Sequence, residues 1–292
     1  MKLYEVNSKF FDKINSPAKA YFLGWVVSDG SVSKKNTLSL RLQIEDIKIL
    51  EILRKVIEST NTIKLISYKN TIHSHWKDQA GLVIHNKKIC ESLRKLGYNN
   101  TKTQTAKFPK FLSKKLIPHF LRGLFEGDGC LSIRFIKTKS NMFGFYPTPK
   151  AQFYICGTQD MCEGVKSSIS KLNIFSKIKK AIGHYKIIIS GNENIFKIVN
   201  WLYKDCDNLF LKRKYDLFKK LEKLENRDKS KDFHHRKRPI RQLDLEGNLI
   251  RVWPSAADAI KSMGVKNTGA LVSVLKKRKW FKTYKGFKWE YV

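Results

Sequence analysis

The chain has 292 residues, enough for two modest domains or one larger domain with an appendage. Hydrophobic residues make up 42% of it, which supports a packed core and argues against wholesale disorder. Its 58 Lys and Arg against 25 Asp and Glu give a net charge of +33, far beyond what solubility requires, so the natural partner is a polyanion, with nucleic acid the usual one.

The opening residues lack the apolar core of a signal peptide. The first strong segment is Phe22-Leu23-Gly24-Trp25-Val26-Val27-Ser28-Asp29-Gly30, an apolar helix closed by Asp-Gly. An alternating strand at residues 38–43 follows, then a helical stretch at 47–57, a basic hairpin around 64–84 and a helix near 87–96. The order then repeats. Leu121-Arg122-Gly123-Leu124-Phe125-Glu126-Gly127-Asp128-Gly129 matches the first segment, and strands at 131–135 and 151–155 follow it. A helix near 161–172, a hairpin at 177–190 and a helix near 195–203 complete the copy. Each half thus reads αββαββα, with boundaries placed at 1–112 and 113–225.

Residues 226–238 are polar and basic and read as a linker. From 239 to 292 the character changes. A hairpin turns at Glu246-Gly247-Asn248, Ser255-Ala256-Ala257-Asp258 forms a capping box for a short helix, and Gly264 stops it. Asn267 or Thr268 caps a second short helix that ends in Lys276-Lys277-Arg278-Lys279, and Phe287, Trp289 and Tyr291 alternate in a closing strand. Two short helices around a glycine turn, the second ending basic, predict a helix-turn-helix module. No apolar run reaches the roughly 20 residues needed to span a bilayer. Cys90, Cys130, Cys156, Cys162 and Cys206 are odd in number and form no Cys-x-x-Cys pair, the pattern of reduced thiols in an intracellular protein.

The twin segments carry the chemistry. Gly24 and Ser28, like Gly123 and Gly127, fall four residues apart on one helix face, where small residues let two helices approach closely. Gly30 and Gly129 follow where a left-handed residue is wanted to end each helix. Asp29 and Asp128 would then meet at two helix C-termini, where each opposes the helix dipole by roughly 0.3–1 kcal/mol and repels the other. A divalent cation between them reverses the sign of that arrangement, and carboxylate with phosphate oxygens is the environment Mg²⁺ prefers.

In motif, duplication and element order the chain resembles the single-chain LAGLIDADG homing endonucleases over roughly residues 15 to 222. The resemblance implies an α+β fold of two pseudo-symmetric halves with saddle-shaped antiparallel sheets. It implies a monomer that cuts both strands of a long double-stranded DNA site and leaves short 3′ overhangs. Catalytic metal, Mg²⁺ or another divalent cation, would be bound by Asp29 and Asp128 with the carbonyls of Ser28 and Gly127 as helpers. The earlier acidic motif position is Glu126 in the second copy but Val27 in the first, which leaves the half-sites inequivalent. Asp46 and Gln159 are the matching polar residues expected to face the site, and Lys102 and Lys212 the basic residues expected to order water around the scissile phosphate. Residues 242–291 resemble the small modular DNA-binding domains, of the NUMOD1 or intron-encoded nuclease repeat type, appended to such enzymes. The same fold also serves intron RNA maturases, with the protein's own intron RNA as partner, and catalytically inactive DNA-binding regulators.

Strand alternation supplies a DNA-facing surface. Ser39, Arg41 and Gln43 share one face, as do Ser132 and Arg134 with Gln152 and Tyr154. Arg and Gln suit guanine and adenine edges in the major groove, which admits a two-stranded ribbon. His73 and His75 form a His-x-His pair without an evident third ligand and read as DNA-facing histidines, while Lys177 and Lys179 read as phosphate contacts. Lys276, Lys277 and Arg278 are the matching candidates in the C-terminal module.

Overall fold

A computed structural model describes residues 4–69, 76–99, 101–140, 144–230, 239–265 and 267–292. His73 and His75 therefore lie outside the described residues. The chain forms two compact units, Met1–Glu225 and Asn226–Val292.

In the first unit the halves run as the repeat predicts. The first comprises α1 (Pro17–Ser28), β1 (Gly30–Val32), β2 (Thr37–Gln43), α2 (Ile47–Val56), β3 (Lys64–Ile66), β4 (Gln79–His85), α3 (Lys87–Lys95) and a one-turn α4 (Lys102–Thr105). The second comprises α5 (Ile117–Asp128), β5 (Gly129–Ser140), β6 (Gly144–Gly157), α6 (Gln159–Ile169), β7 (Ser176–Ala181), β8 (His184–Ile189), α7 (Asn192–Tyr203) and α8 (Lys212–Ser230). Both sheets are antiparallel, and their orders, β1-β2-β4-β3 and β5-β6-β8-β7, are the same. α8 continues through Ser230, so the first residues of the expected linker are helical. The sequence there is rich in Lys, Glu and Arg, good helix formers, and holds no Gly or Pro to stop the helix. Residues 231–238 lie outside the described part.

α1 starts where Ser16 accepts a hydrogen bond from the Lys19 amide and Pro17 fixes the first turn. From Ala20 to Val27 every side chain is buried, the pattern of a helix at the centre of a core. α5 is buried from His119 to Glu126 and packs along α1. The two helices touch at Gly24 and Gly123. A Cβ on Gly24 would lie 2.6 Å from the Leu124 amide nitrogen and would also strike the Phe120 carbonyl, and one on Gly123 would strike the Tyr21 carbonyl. The expected close approach is therefore made backbone to backbone.

Gly30 and Gly129 have a different reason for being glycine from the one expected. Gly129 has φ −103°, and neither residue is left-handed; each leaves its helix directly into a strand. A Cβ on Gly30 would sit 2.6 Å from the Val26 carbonyl oxygen, and one on Gly129 would sit 2.5 Å from that of Phe125. Space against the last helical turn, rather than backbone twist, excludes a side chain. Beyond each glycine the sheets bury one face and expose the other. Leu38, Leu40 and Leu42 point into the core in the first half, Phe153 and Ile155 in the second.

The second unit is small, with a core of Ile240, Ala259, Ile260, Leu271, Val274, Leu275 and Trp289. Its sheet has the order β10-β9-β11, built from β9 (Ile240–Leu243), β10 (Leu249–Trp253) and β11 (Lys288–Tyr291), with α9 (Ala256–Ser262) and α10 (Gly269–Leu275) between the last two. The capping box forms as read: Ser255 Oγ accepts from the Asp258 amide at 3.2 Å and donates to the Asp258 carboxylate at 2.8 Å. Gly264 is left-handed at φ 69°. The second cap comes from Asn267, whose side chain accepts the Gly269 amide at 2.8 Å. α10 stops at Leu275, so Lys276, Lys277, Arg278 and Lys279 lie in an exposed turn beyond the helix rather than on its last turn. The left-handed Lys277, at φ 50°, is where the helix direction is lost.

Candidate active site

Asp29 and Asp128 leave the ends of α1 and α5 side by side. The site is tight on the protein side. A Cβ on Gly127 would occupy the space of the Ser28 side chain and the Asp29 carboxylate, so glycine there keeps the cradle open. Both aspartates are exposed outward, yet protein surrounds them on every other side. That desolvation raises both carboxyls above the ordinary range, Asp128 to about 6. Repulsion by Asp29 adds to the effect on Asp128, whereas the Ser28 hydroxyl, Lys102, Lys214 and Arg213 counteract it at Asp29.

Two buried lysines hold the helix ends. Lys102 donates to the carbonyls of Val27 at 2.6 Å and Ser28 at 2.7 Å. In the second half that position is taken by Lys214, not Lys212. Lys214 donates to the carbonyls of Phe125 (2.6 Å), Glu126 (2.7 Å) and Gly129 (2.7 Å) and sits over the Phe125 ring. Lys212 is the first residue of α8, points to solvent and pairs with Asp216 one turn on. The signal for Lys214 was in the helix phase: Leu211, Lys214, Phe218 and Leu221 share the buried face. Burial lowers both lysines, Lys214 to about 8 with Arg213 contributing, while the two aspartates oppose this at Lys102.

Asp46 does reach the site, but with a partner the sequence did not reveal. It is nearly buried, accepts from Arg213 Nε at 3.0 Å on both oxygens, and has Nη2 in ion-pair contact at 3.0 Å. Together Asp29, Arg41, Gln43, Asp46, Gln79, Gly127 and Arg213 line a cavity of about 530 Å³. Gln159 does not join them. It lies on the outer face of the first turn of α6, is exposed, and donates to Glu163 at 2.9 Å. Glu126 is turned inward, where its carboxylate accepts from Tyr21 and, at 2.9 Å, from Tyr203. Burial raises its pKa, and both tyrosines are raised as well. The acidic residue that distinguishes the two motifs is thus spent on packing α5 between the halves.

The sheet registers show which residues correspond. Gly30 pairs with Leu40, and Leu40 with Leu82; Gly129 pairs with Ile155, and Ile155 with Ile187. Overlaying these ladders makes Ser39 equivalent to Tyr154, Arg41 to Cys156, Gln43 to Thr158, and Gln79 to His184. Ser39, Arg41 and Gln43 lie on the outer face of the first sheet. Ser132 and Gln152 face each other directly on the outer face of the second, between the Cys130–Tyr154 and Arg134–Lys150 pairs. Lys177 and Lys179 are exposed and share that face through Ile188 and Lys186. Thr158 is occupied with capping α6 and donates to the Ala106 carbonyl.

The donor set suits a hard cation. Among the described residues no three His, Cys, Asp or Glu side chains converge as a metal cluster, and the acidic side chains open to the site include Asp29 and Asp128. Mg²⁺ is bound in this way, by one or two carboxylates with water and phosphate oxygens completing its octahedron. The Ser28 carbonyl expected to help already accepts from Lys102, which leaves it one further lone pair.

The sequence matches no protein-family profile and no curated protein. Solved structures do match it. The I-SmaMI LAGLIDADG homing endonuclease bound to cleaved DNA superposes with a TM-score of 0.50 at 16% identity, covering 75% of this chain and 93% of that one. The LAGLIDADG meganuclease I-AabMI bound to uncleaved DNA gives 0.49 at 14% identity, covering 74% and 92%. The I-LtrWI LAGLIDADG homing endonuclease bound to target DNA gives 0.49 at 12%, covering 76% and 93%. The first of these shows that the chain has the fold of LAGLIDADG homing endonucleases. Among the described residues no helix is long and apolar enough to cross a membrane.

Proposed function

We propose that this chain is a monomeric, site-specific DNA endonuclease of the homing type, which cuts both strands of a long target with Mg²⁺ or a similar cation and leaves short 3′ overhangs. One observation carries the reading: two raised carboxyls, Asp29 and Asp128, meet at the ends of packed twin helices between two outward polar sheet faces. The shared fold of an enzyme crystallised with cleaved DNA supports it. A bound divalent cation would lower the pKa of a water and neutralise charge on the phosphate. Asp29 and Asp128 would hold it, Lys102 and Lys214 fix the helix ends on which the carboxylates stand, and the spare N–H of Lys102 is available to orient water. Ser39, Arg41 and Gln43 on the first sheet, and Ser132, Arg134, Gln152 and Tyr154 on the second, would read and grip the duplex, with Lys177 and Lys179 on phosphates. The +33 charge supplies affinity that falls steeply with salt. The second unit, with Lys276, Lys277 and Arg278 exposed, is assigned as an appended DNA-binding module.

The test is a cleavage selection: full-length protein with Mg²⁺ and a large pool of duplex DNA, beside an Asp29→Asn/Asp128→Asn double variant. Discrete double-strand ends that vanish in the variant are expected, and they would deliver the target site. Tight binding without cleavage in any divalent cation would overturn the enzyme reading in favour of a maturase or a regulator.

A further inference from the structure

We propose that Arg213, aimed by Asp46, grips a backbone phosphate on one DNA strand only, so that the two strands are cut at unequal rates. This rests on the nuclease reading and adds to it a strand preference and the residues that set it.

The Asp46–Arg213 pair joins residues from different halves, and its two members are unlike in exposure. The Asp46 side chain is 10% exposed and that of Arg213 58%. The carboxylate is thus sunk in protein while the guanidinium reaches the cavity that contains Asp29. Asp46 accepts the Nε–H on both of its oxygens and has Nη2 in ion-pair contact, which holds the group from that side. The Nη1 edge remains, and a planar guanidinium with an open edge is suited to phosphate oxygens.

The second half has nothing equivalent. Lys102 and Lys214 correspond by the helix ends they hold, so the counterpart of Arg213 is Thr101, an exposed residue whose hydroxyl donates to Asn99. Counting from Gln43 and Thr158 into the following helix, the counterpart of Asp46 is Met161, which is buried and apolar. A mirror pair is chemically impossible. The fields differ in the same sense: Arg213 acts on Asp29, whereas it is His184 that stands near Asp128. An arginine pair kept only to tie the halves together would be buried at both ends. This one is open at the end that faces the candidate active site.

The experiment uses full-length protein and its selected target, with each strand labelled separately. Wild type should cut one strand first, with a nicked intermediate. Arg213→Gln should slow that strand by at least about tenfold and leave the other within about twofold. Asp46→Asn should produce the same one-sided loss to a smaller degree, because the guanidinium is present but no longer aimed, and Arg213→Lys should recover part of the rate. Phosphate ethylation interference on uncut DNA gives a second reading, independent of catalysis: one interfering phosphate should disappear from one strand in Arg213→Gln. Equal slowing of both strands, or an interference pattern unchanged by Arg213→Gln, would show that the pair merely ties the halves together. A wild type that cuts neither strand overturns the nuclease reading, and the interference pattern still decides whether Arg213 holds a phosphate.

Discussion

The two halves share a backbone plan and differ in what surrounds each aspartate. Helix, strand order and sheet register repeat, down to equivalent pairings of Gly30 with Leu40 and Gly129 with Ile155. Around Asp29 stand Arg41, Gln43, Gln79 and the Asp46–Arg213 pair. The equivalent places near Asp128 hold Cys156, Thr158, His184, Met161 and Thr101. Duplication has kept the parts that fix geometry and let the polar environment diverge. The reason is physical. The backbone contact of α1 with α5 admits only glycine, whereas an outer sheet face accepts many side chains as long as its inner face stays apolar.

The shared part is where substitutions should do most damage. Gly24→Leu or Gly123→Leu would force a side chain into the backbone of the opposing helix. Overpacking with no flexible neighbour to yield should cost at least about 3 kcal/mol. Either variant should fail to fold cooperatively, as seen by loss of a sharp thermal transition; a transition within a few degrees of wild type would mean that the helices are not in this contact. Next come the lysines, which sharpen the comparison. Lys214 spends all three N–H groups on carbonyls, while Lys102 spends two. Lys214→Met should therefore destabilise by about 3 kcal/mol, because three carbonyls lose their charged donor. Lys102→Met should lose roughly 2 kcal/mol. Urea unfolding of both variants checks the ranking, and equal losses would contradict it.

What could be read in the sequence follows the same division. The motif glycines, both aspartates, the αββαββα order and the outward polar rows were legible because each is written in local spacing or in the repeat. Lys214 was missed in favour of Lys212 because the position within the element was followed instead of the buried phase of α8. Gln159 was misplaced because it opens a helix, where one residue of phase separates the outer face from the capping position that Thr158 holds. The Asp46–Arg213 pair joins residues far apart in sequence and follows no periodicity, so only the packed structure could bring it forward. Glu126 stood out in the sequence only as a difference between the two motifs; its partners Tyr21 and Tyr203 come from α1 and α7, and that too is tertiary information.

Electrostatic contact with DNA should be lopsided in the same way. Arg41 is exposed on the outer face of β2 and lines the Asp29 cavity, where Cys156 is its counterpart. Arg41→Gln should lower the slope of log affinity against log salt by about 1 and weaken binding by roughly tenfold at moderate salt. Cys156→Ser should leave the slope unchanged. Titrations at several salt concentrations on the selected duplex would decide this, and equal effects at the two positions would remove the asymmetry from the binding step.

The smallest effect concerns the aspartates without metal. Asp128 has its carboxyl pushed up to about 6, against about 4 in an unfolded chain. For an acid raised on folding, the folded state disfavours the ionised form. The penalty is therefore complete above pH 6, shrinks as pH falls through that value, and is gone below about 4. Metal-free Asp128→Asn should accordingly melt slightly above wild type at pH 7.5, by a few degrees at most because the group is open to solvent. The gap should close by pH 4. Asp29→Asn should show a smaller gap, since the Ser28 hydroxyl and Arg213 already support the Asp29 charge. Adding Mg²⁺ at pH 7.5 should reverse the order, because wild type gains a ligand that the amide variant binds poorly. Equal melting of wild type and both variants with and without Mg²⁺ would mean that the two carboxylates neither strain the folded state nor hold a cation.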